Sequence, residues 1–344
     1  MKFTKTAVAV AVTSLAAVPM MASAETTLSG LVQIKYQGSD VDAEEELDNG
    51  EDGDLTMAAG DVRMAINSQN EIAGGLTGYG NIQFNLDDLT GEGGDVLVAL
   101  EPQEDTTGVG DNEGLSQPEG VGGTAGTVTA DNIYVGVKGG FGDVRLGEIP
   151  LAVEYGQVAN DIYDVGATVV DGISYVGAFG PVGIIANYSL EDDADMFGVG
   201  AKFTLAGVTV GAGYELRDVA DDESANYALG ASFALAGFSI GAHYWVKEGA
   251  DGGTDLPGDQ QSISAQIGYG IAGVNLGLTY SLLSTDFTDR DEIEESSLRF
   301  DAGYDLGGGM DISTRITATE GDPADDEGID PDLVQYRVQL TKNF

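Results

Sequence analysis

The chain has 344 residues, with 58 Asp and Glu against 14 Lys and Arg, a formal net charge of −44, 52 Gly, 8 Pro, one His and no Cys. The lack of Cys excludes the small disulfide-stapled secreted scaffolds, and nothing in so acidic a chain points to nucleic acid as a partner. A single His with no Cys also excludes a His/Cys zinc site, and no metal or other cofactor is expected.

Residues 1–24 combine a basic start (Lys2, Lys5), an apolar stretch over 7–18 and the small-residue triplet Ala22-Ser23-Ala24, the pattern of a cleaved signal peptide. The remainder, 25–344, is expected to form one domain. Beyond the leader no stretch approaches the roughly 18 apolar residues of a spanning helix. Export without such a helix leaves periplasm, medium or outer membrane.

From residue 26 onward the chain divides into sixteen strand-like segments. The first runs over about 26–37 and the second over about 61–69; a turn at 70–75 leads to a third that ends near 86. Segments follow at about 128–138, 142–148, 171–178, 182–190, 196–205, 208–216, 225–235, 238–247, 260–270, 274–284, 296–306, 310–320 and 332–344. One phrase recurs among them: FTLAGVTVGAGY from 203, FALAGFSIGAHY from 233 and YGIAGVNLGLTY from 269. After each Ala-Gly the apolar residues alternate, as Val208, Val210, Ala212 and Tyr214 do with Thr209, Gly211 and Gly213. That period of two marks a strand with one apolar face, so each phrase is a strand end, a tight turn and the next strand.

Hairpins alone would also suit a soluble sandwich, but the connections segregate by length. Turns of a few residues, such as Ala206-Gly207, Ala236-Gly237 and Ala272-Gly273, sit at one end, and long polar loops at the other. Even strand number, strands of about ten residues and short turns opposite long loops describe an outer-membrane β-barrel. Lipid offers no partner to a bare peptide group, so such a sheet must close. The last strand, VQYRVQLTKNF, is therefore expected to pair with the first, TTLSGLVQIKY. Val32, Ile34, Tyr36, Val334, Val338 and Leu340 then face lipid, while Gln33, Lys35 and Arg337 face the lumen.

These features resemble the Gram-negative general porins, the proteobacterial family of sixteen-stranded trimeric outer-membrane proteins. The resemblance spans TTLSGLVQIKY after the leader, NIYVGVKGGFGDVRLGE over 132–148 and the terminal strand ending in Phe344. It implies an all-β transmembrane antiparallel barrel with short periplasmic turns, long extracellular loops and a third loop, here 149–170, folded into the pore. It also implies a homotrimer in the outer membrane of a Gram-negative bacterium, passing ions and small hydrophilic solutes by passive diffusion, with Phe344 as the barrel-assembly signal. No catalysis is expected. In the family the third loop carries acids opposite a basic wall, which in this sequence would be Glu154, Asp161, Asp164 and the nearby Asp171.

Strand parity places the basic wall at Lys35, Arg63, Arg145, Arg299, Arg315 and Arg337, each flanked by apolar neighbours. Most of these lie on neighbouring strands once the barrel closes. Solvated charges sent inward by parity alone are the plainer alternative. The loop segments 38–60 and 87–127 hold nine and ten acids and no base, so a field that concentrates cations and repels anions is expected at the mouth. His243, beside Tyr244 and Trp245, is expected at the interfacial aromatic girdle. Two other classes remain: a barrel enzyme using His243 with a serine, and an acidic adhesion barrel with no open pore. GYGIAG at 268–273 is followed by alternation rather than a helix, so it is not a phosphate loop.

Overall fold

A computed structural model describes residues 25–41, 56–72, 74–85, 129–163, 170–189, 194–219, 222–248, 259–286, 292–321 and 333–344. The expected leader, Asp164 and most of both acidic loops lie outside these residues. The strands are β1 (Glu25–Val41), β2 (Thr56–Ile72), β3 (Leu76–Asn85), β4 (Thr129–Gly139), β5 (Gly142–Ile149), β6 (Val170–Phe179), β7 (Val182–Ser189) and β8 (Ala194–Leu205). They continue as β9 (Val208–Val219), β10 (Asp222–Leu235), β11 (Phe238–Glu248), β12 (Gln260–Ile271), β13 (Val274–Thr285), β14 (Ile293–Gly307), β15 (Met310–Gly321) and β16 (Leu333–Asn343). Each pairs antiparallel with its sequence neighbours, and β1 pairs with β16 to close the barrel.

The seam follows the expected faces: Ile34 lies opposite Leu340 and Tyr36 opposite Val338. At its periplasmic end Gly30 and Phe344 exchange two backbone hydrogen bonds, of 3.0 and 3.1 Å. Strands β1 and β2 run four and five residues further into the first long loop than expected, because the ladder continues there: residues 38–41 of β1 pair with β16, and residues 56–59 of β2 pair with β1.

The Ala-Gly turns have both central residues left-handed, with φ of 52° and 82° at Ala206-Gly207, 51° and 86° at Ala236-Gly237, and 50° and 85° at Ala272-Gly273. Positive φ at both centres is the hairpin turn whose twist matches that of the flanking strands. Away from the turns, exposure alternates along most of β8–β13. Phe203, Val210, Tyr214, Phe233, Ile240 and Ile263 present the outer apolar face, while the residues between them are covered from inside.

That cover is the segment between β5 and β6, which includes a 3₁₀ turn at Val153–Tyr155. Among the described residues a buried apolar cluster lies there rather than between two sheets: Ile149, Leu151, Val153, Met196, Ala228 and Trp245, with Tyr163 and Leu283 packed against it. A barrel in lipid puts its apolar side chains outward, so only an inserted segment builds an apolar core inside it.

Candidate functional site

The inserted segment is laid across eight consecutive strands. Asn187 on β7 donates to the Pro150 carbonyl at 2.9 Å. Next to it the buried Glu215 carboxylate on β9 accepts the Ala152 N–H at 2.6 Å and the Val153 N–H at 3.4 Å. The segment then crosses inward-facing glycines with no room to spare. A Cβ would lie 2.8 Å from Ala152 Cβ at Gly198, 2.6 Å from Val153 Cα at Gly213, 2.8 Å from Val158 side-chain carbons at Gly211 and Gly230, and 2.7 Å from Ala159 Cβ at Gly241. Real Cβ contacts essentially never fall under 3.0 Å, so these positions require glycine. Gly211 and Gly241 are the second glycines of the first two repeated phrases, which gives that position a purpose its alternation alone did not reveal.

The far end of the segment is fixed by Asp161. Its carboxylate takes hydrogen bonds from His243 Nε2 at 2.6 Å, Trp245 Nε1 at 2.8 Å, Ser281 Oγ at 3.1 Å and the Ser264 hydroxyl. The Arg299 guanidinium donates to the Asp161 carbonyl at 2.8 Å. Tyr163 follows, donating to Glu295 at 2.5 Å and lying 2.9 Å from Ser297 Oγ on β14. Burial by itself would raise the Asp161 carboxyl, but the hydrogen bonds from His243, Ser264 and Trp245 outweigh it and hold the group at about 2. Burial, with Glu295 as acceptor, pushes the Tyr163 hydroxyl well above its ordinary range.

Asp161 is therefore a fastener on the wall, not a free acid across the gap. His243 likewise departs from the expected girdle position: its side chain is fully buried and points inward, because β11 parity places it on the lumen face with Gly241 and Trp245. Serine, histidine and aspartate do meet here, but the carboxylate lies between the other two. A nucleophile must bond to the histidine, whereas buried Ser264 bonds to Asp161, so this is a structural knot. Glu154 is exposed on the loop, and Asp171 is exposed at the start of β6, opposite Glu148.

Beyond Arg299 on β14, which the inserted segment still covers, the lumen is open. Lys35, Arg63, Arg299, Arg315 and Arg337 occupy five adjacent strands, β2, β1, β16, β15 and β14, with Arg315 directly opposite Arg337. Arg145 stands apart, since β3 and β4 separate β5 from β2. The wall also contains acids that the parity count of bases passed over. Asp61 bonds Lys35 at 3.3 Å and Arg63 at 3.1 Å, and Asp301 bonds Arg299 at 3.0 Å and Arg315 at 2.7 Å. Their signal was present in the sequence: Asp61 and Asp301 each lie two residues from an inward arginine, hence on the same face. Although they point into the barrel, the side chains of Arg63 and Arg315 are 43% and 39% exposed. The lumen beside them is wide enough for water.

A family model described as Gram-negative porin matches residues 9–324. No curated protein sequence matches. Among solved structures, the trimer form of OmpT from Vibrio cholerae is 14% identical, with a TM-score of 0.66 over 94% of this chain and 100% of that one. An anion-selective porin from Comamonas acidovorans is also 14% identical, at a TM-score of 0.65 over the same shares. So is Salmonella typhi OmpF in complex with daunomycin, at 0.65 over 94% and 100%.

Proposed function

Because the chain belongs to the Gram-negative porin family, it is an outer-membrane channel and not an enzyme, and we propose that it is a cation-preferring homotrimer for passive diffusion of inorganic ions and small hydrophilic solutes. The observation that carries the open pore is the contrast between the two halves of the inner wall. Side chains under the inserted segment are buried, whereas Arg63 and Arg315 point inward and yet are exposed. A plugged or purely adhesive barrel has no use for a solvated charged half.

Cation preference rests on two supports. The chain holds 58 acids against 14 bases, and four of the wall's bases are already matched by Asp61 and Asp301. Selectivity in a wide pore follows the charge lining it and its mouth. The similar anion-selective fold makes the sign a property of side chains, not of the barrel. Trimer assembly is proposed from the family and from the trimeric likeness. Cleavage after Ala24, a single domain over 25–344, the assembly role of Phe344 and the lumen roles of Glu154, Asp164 and Asp171 belong to the same proposal.

The test is single-channel recording of the purified protein in a planar bilayer under a KCl gradient. Conductance steps in groups of three with a cation-selective reversal potential are expected. The triple change Arg299→Ala, Arg315→Ala and Arg337→Ala shifts the reversal further toward cations; an unmoved reversal would remove the wall from the selectivity mechanism.

A further inference from the structure

Resting on the channel reading, we propose that the periplasmic end of the lumen holds a binding subsite for small zwitterionic solutes of the α-amino-acid class. A cavity of about 350 Å³ opens there, lined by Glu25, Tyr79, Tyr134, Lys138, Asp143 and Arg145 among others. Its strands β1 to β5 lie outside the arc covered by the inserted segment, and the short turn at 140–141 marks its periplasmic level.

The cations here are held differently from those of the basic wall. Lys35, Arg63, Arg299 and Arg315 each bond a carboxylate. Lys138 lies directly opposite Asp143 across β4 and β5, yet its Nζ stands over the Tyr79 ring, 5.2 Å from the centroid. The Arg145 guanidinium stacks over Tyr134 at 4.1 Å. The Tyr79 hydroxyl donates to Asp143 Oδ1, and the two rings meet edge-on at 6.1 Å and 74°. Rings position the two cations; apart from the hydrogen bond that Arg145 gives the Tyr79 hydroxyl, their N–H donors are left to a ligand.

One carboxylate and one guanidinium therefore face the same accessible cavity without neutralising each other. Asp143 and Arg145 are two apart on β5, so their side chains leave the same face about 6.6 Å apart along the strand. A single α-amino acid, hydrogen-bonded at its ammonium and its carboxylate, spans about that distance. Arg145 and Lys138 take the ligand carboxylate, and Asp143, with Glu25 at the rim, takes the ammonium. A simple anion would satisfy the cations but meet Asp143, and a simple cation would meet Arg145.

The experiment measures initial uptake of radiolabelled L-alanine into proteoliposomes of the whole protein, with radiolabelled glucose as the reference solute. Alanine uptake is expected to saturate and to be inhibited by unlabelled glycine, but not by acetate or methylammonium alone, while glucose uptake stays linear. Arg145→Gln and Asp143→Asn, each verified by heat-modifiable migration, raise the half-saturating concentration at least about tenfold, the loss of one charged hydrogen bond. Linear alanine uptake beside normal glucose uptake overturns the subsite and leaves the channel standing. Inhibition by acetate equal to that by glycine makes the site a plain anion site and also overturns the proposal. Passage of neither solute overturns the channel and the subsite together.

Discussion

Three alanines sit where the backbone favours other residues. Ala206, Ala236 and Ala272 hold φ near 50°, a left-handed conformation that costs an L-residue with a Cβ about 1–2 kcal/mol. Asn-Gly is the preferred pair for this hairpin turn, because the Asn side chain hydrogen-bonds locally. Each Ala→Asn change should therefore stabilise the folded barrel by about 0.5–1 kcal/mol, read as a higher urea midpoint for unfolding. The turns themselves were legible from the repeated Ala-Gly. Their left-handed alanines were not, since only the paired strands on both sides force that conformation.

The inserted segment fills one side of the lumen, and Asp161, with donors from three strands, is its principal anchor. Held at about 2, the carboxyl is ionised throughout ordinary conditions. Its folded-state value lies below the ordinary 3.8, so its contribution to docking is complete above about 4 and fades as pH falls toward about 2. Open-channel noise should rise across that acid window in the native protein. Asp161→Asn should be noisy already at neutral pH and show no further rise from this group on acidification; equal noise in the two proteins at neutral pH would mean that Asp161 does not hold the loop. The loop's extent was readable from its lack of period. Its path was not, because a bed of glycines has no periodic signature beyond the strand it belongs to. His243 shows the same limit: its neighbours Tyr244 and Trp245 suggested a girdle, and only the β11 register turned it inward toward a residue 82 positions away.

Closure is a property of the whole molecule, and it ends on one residue. Phe344 exchanges both backbone hydrogen bonds with Gly30, and its ring covers the outer side of that glycine, where no Cβ would fit. Deleting Phe344 removes two seam hydrogen bonds and the cover at once. The deletion should reduce the heat-modifiable, outer-membrane fraction of the protein several-fold; normal insertion would separate Phe344 from assembly.

Read alone, the sequence determined the barrel, its sixteen strands, its two faces and the end that carries long loops. Each follows from local alternation and from the rule that lipid leaves no peptide group unpaired. Parity, being local, also singled out the candidate inward bases. Only the tertiary structure decided what those charges meet. Lys35 and Arg63 share Asp61, Arg299 and Arg315 share Asp301, and Arg145 leaves the wall to stack on Tyr134. It also placed Asp161 among donors from β11, β12 and β13. Such contacts depend on strand register around the closed barrel and on the course of a loop through its interior, and neither leaves a mark within a dozen consecutive residues.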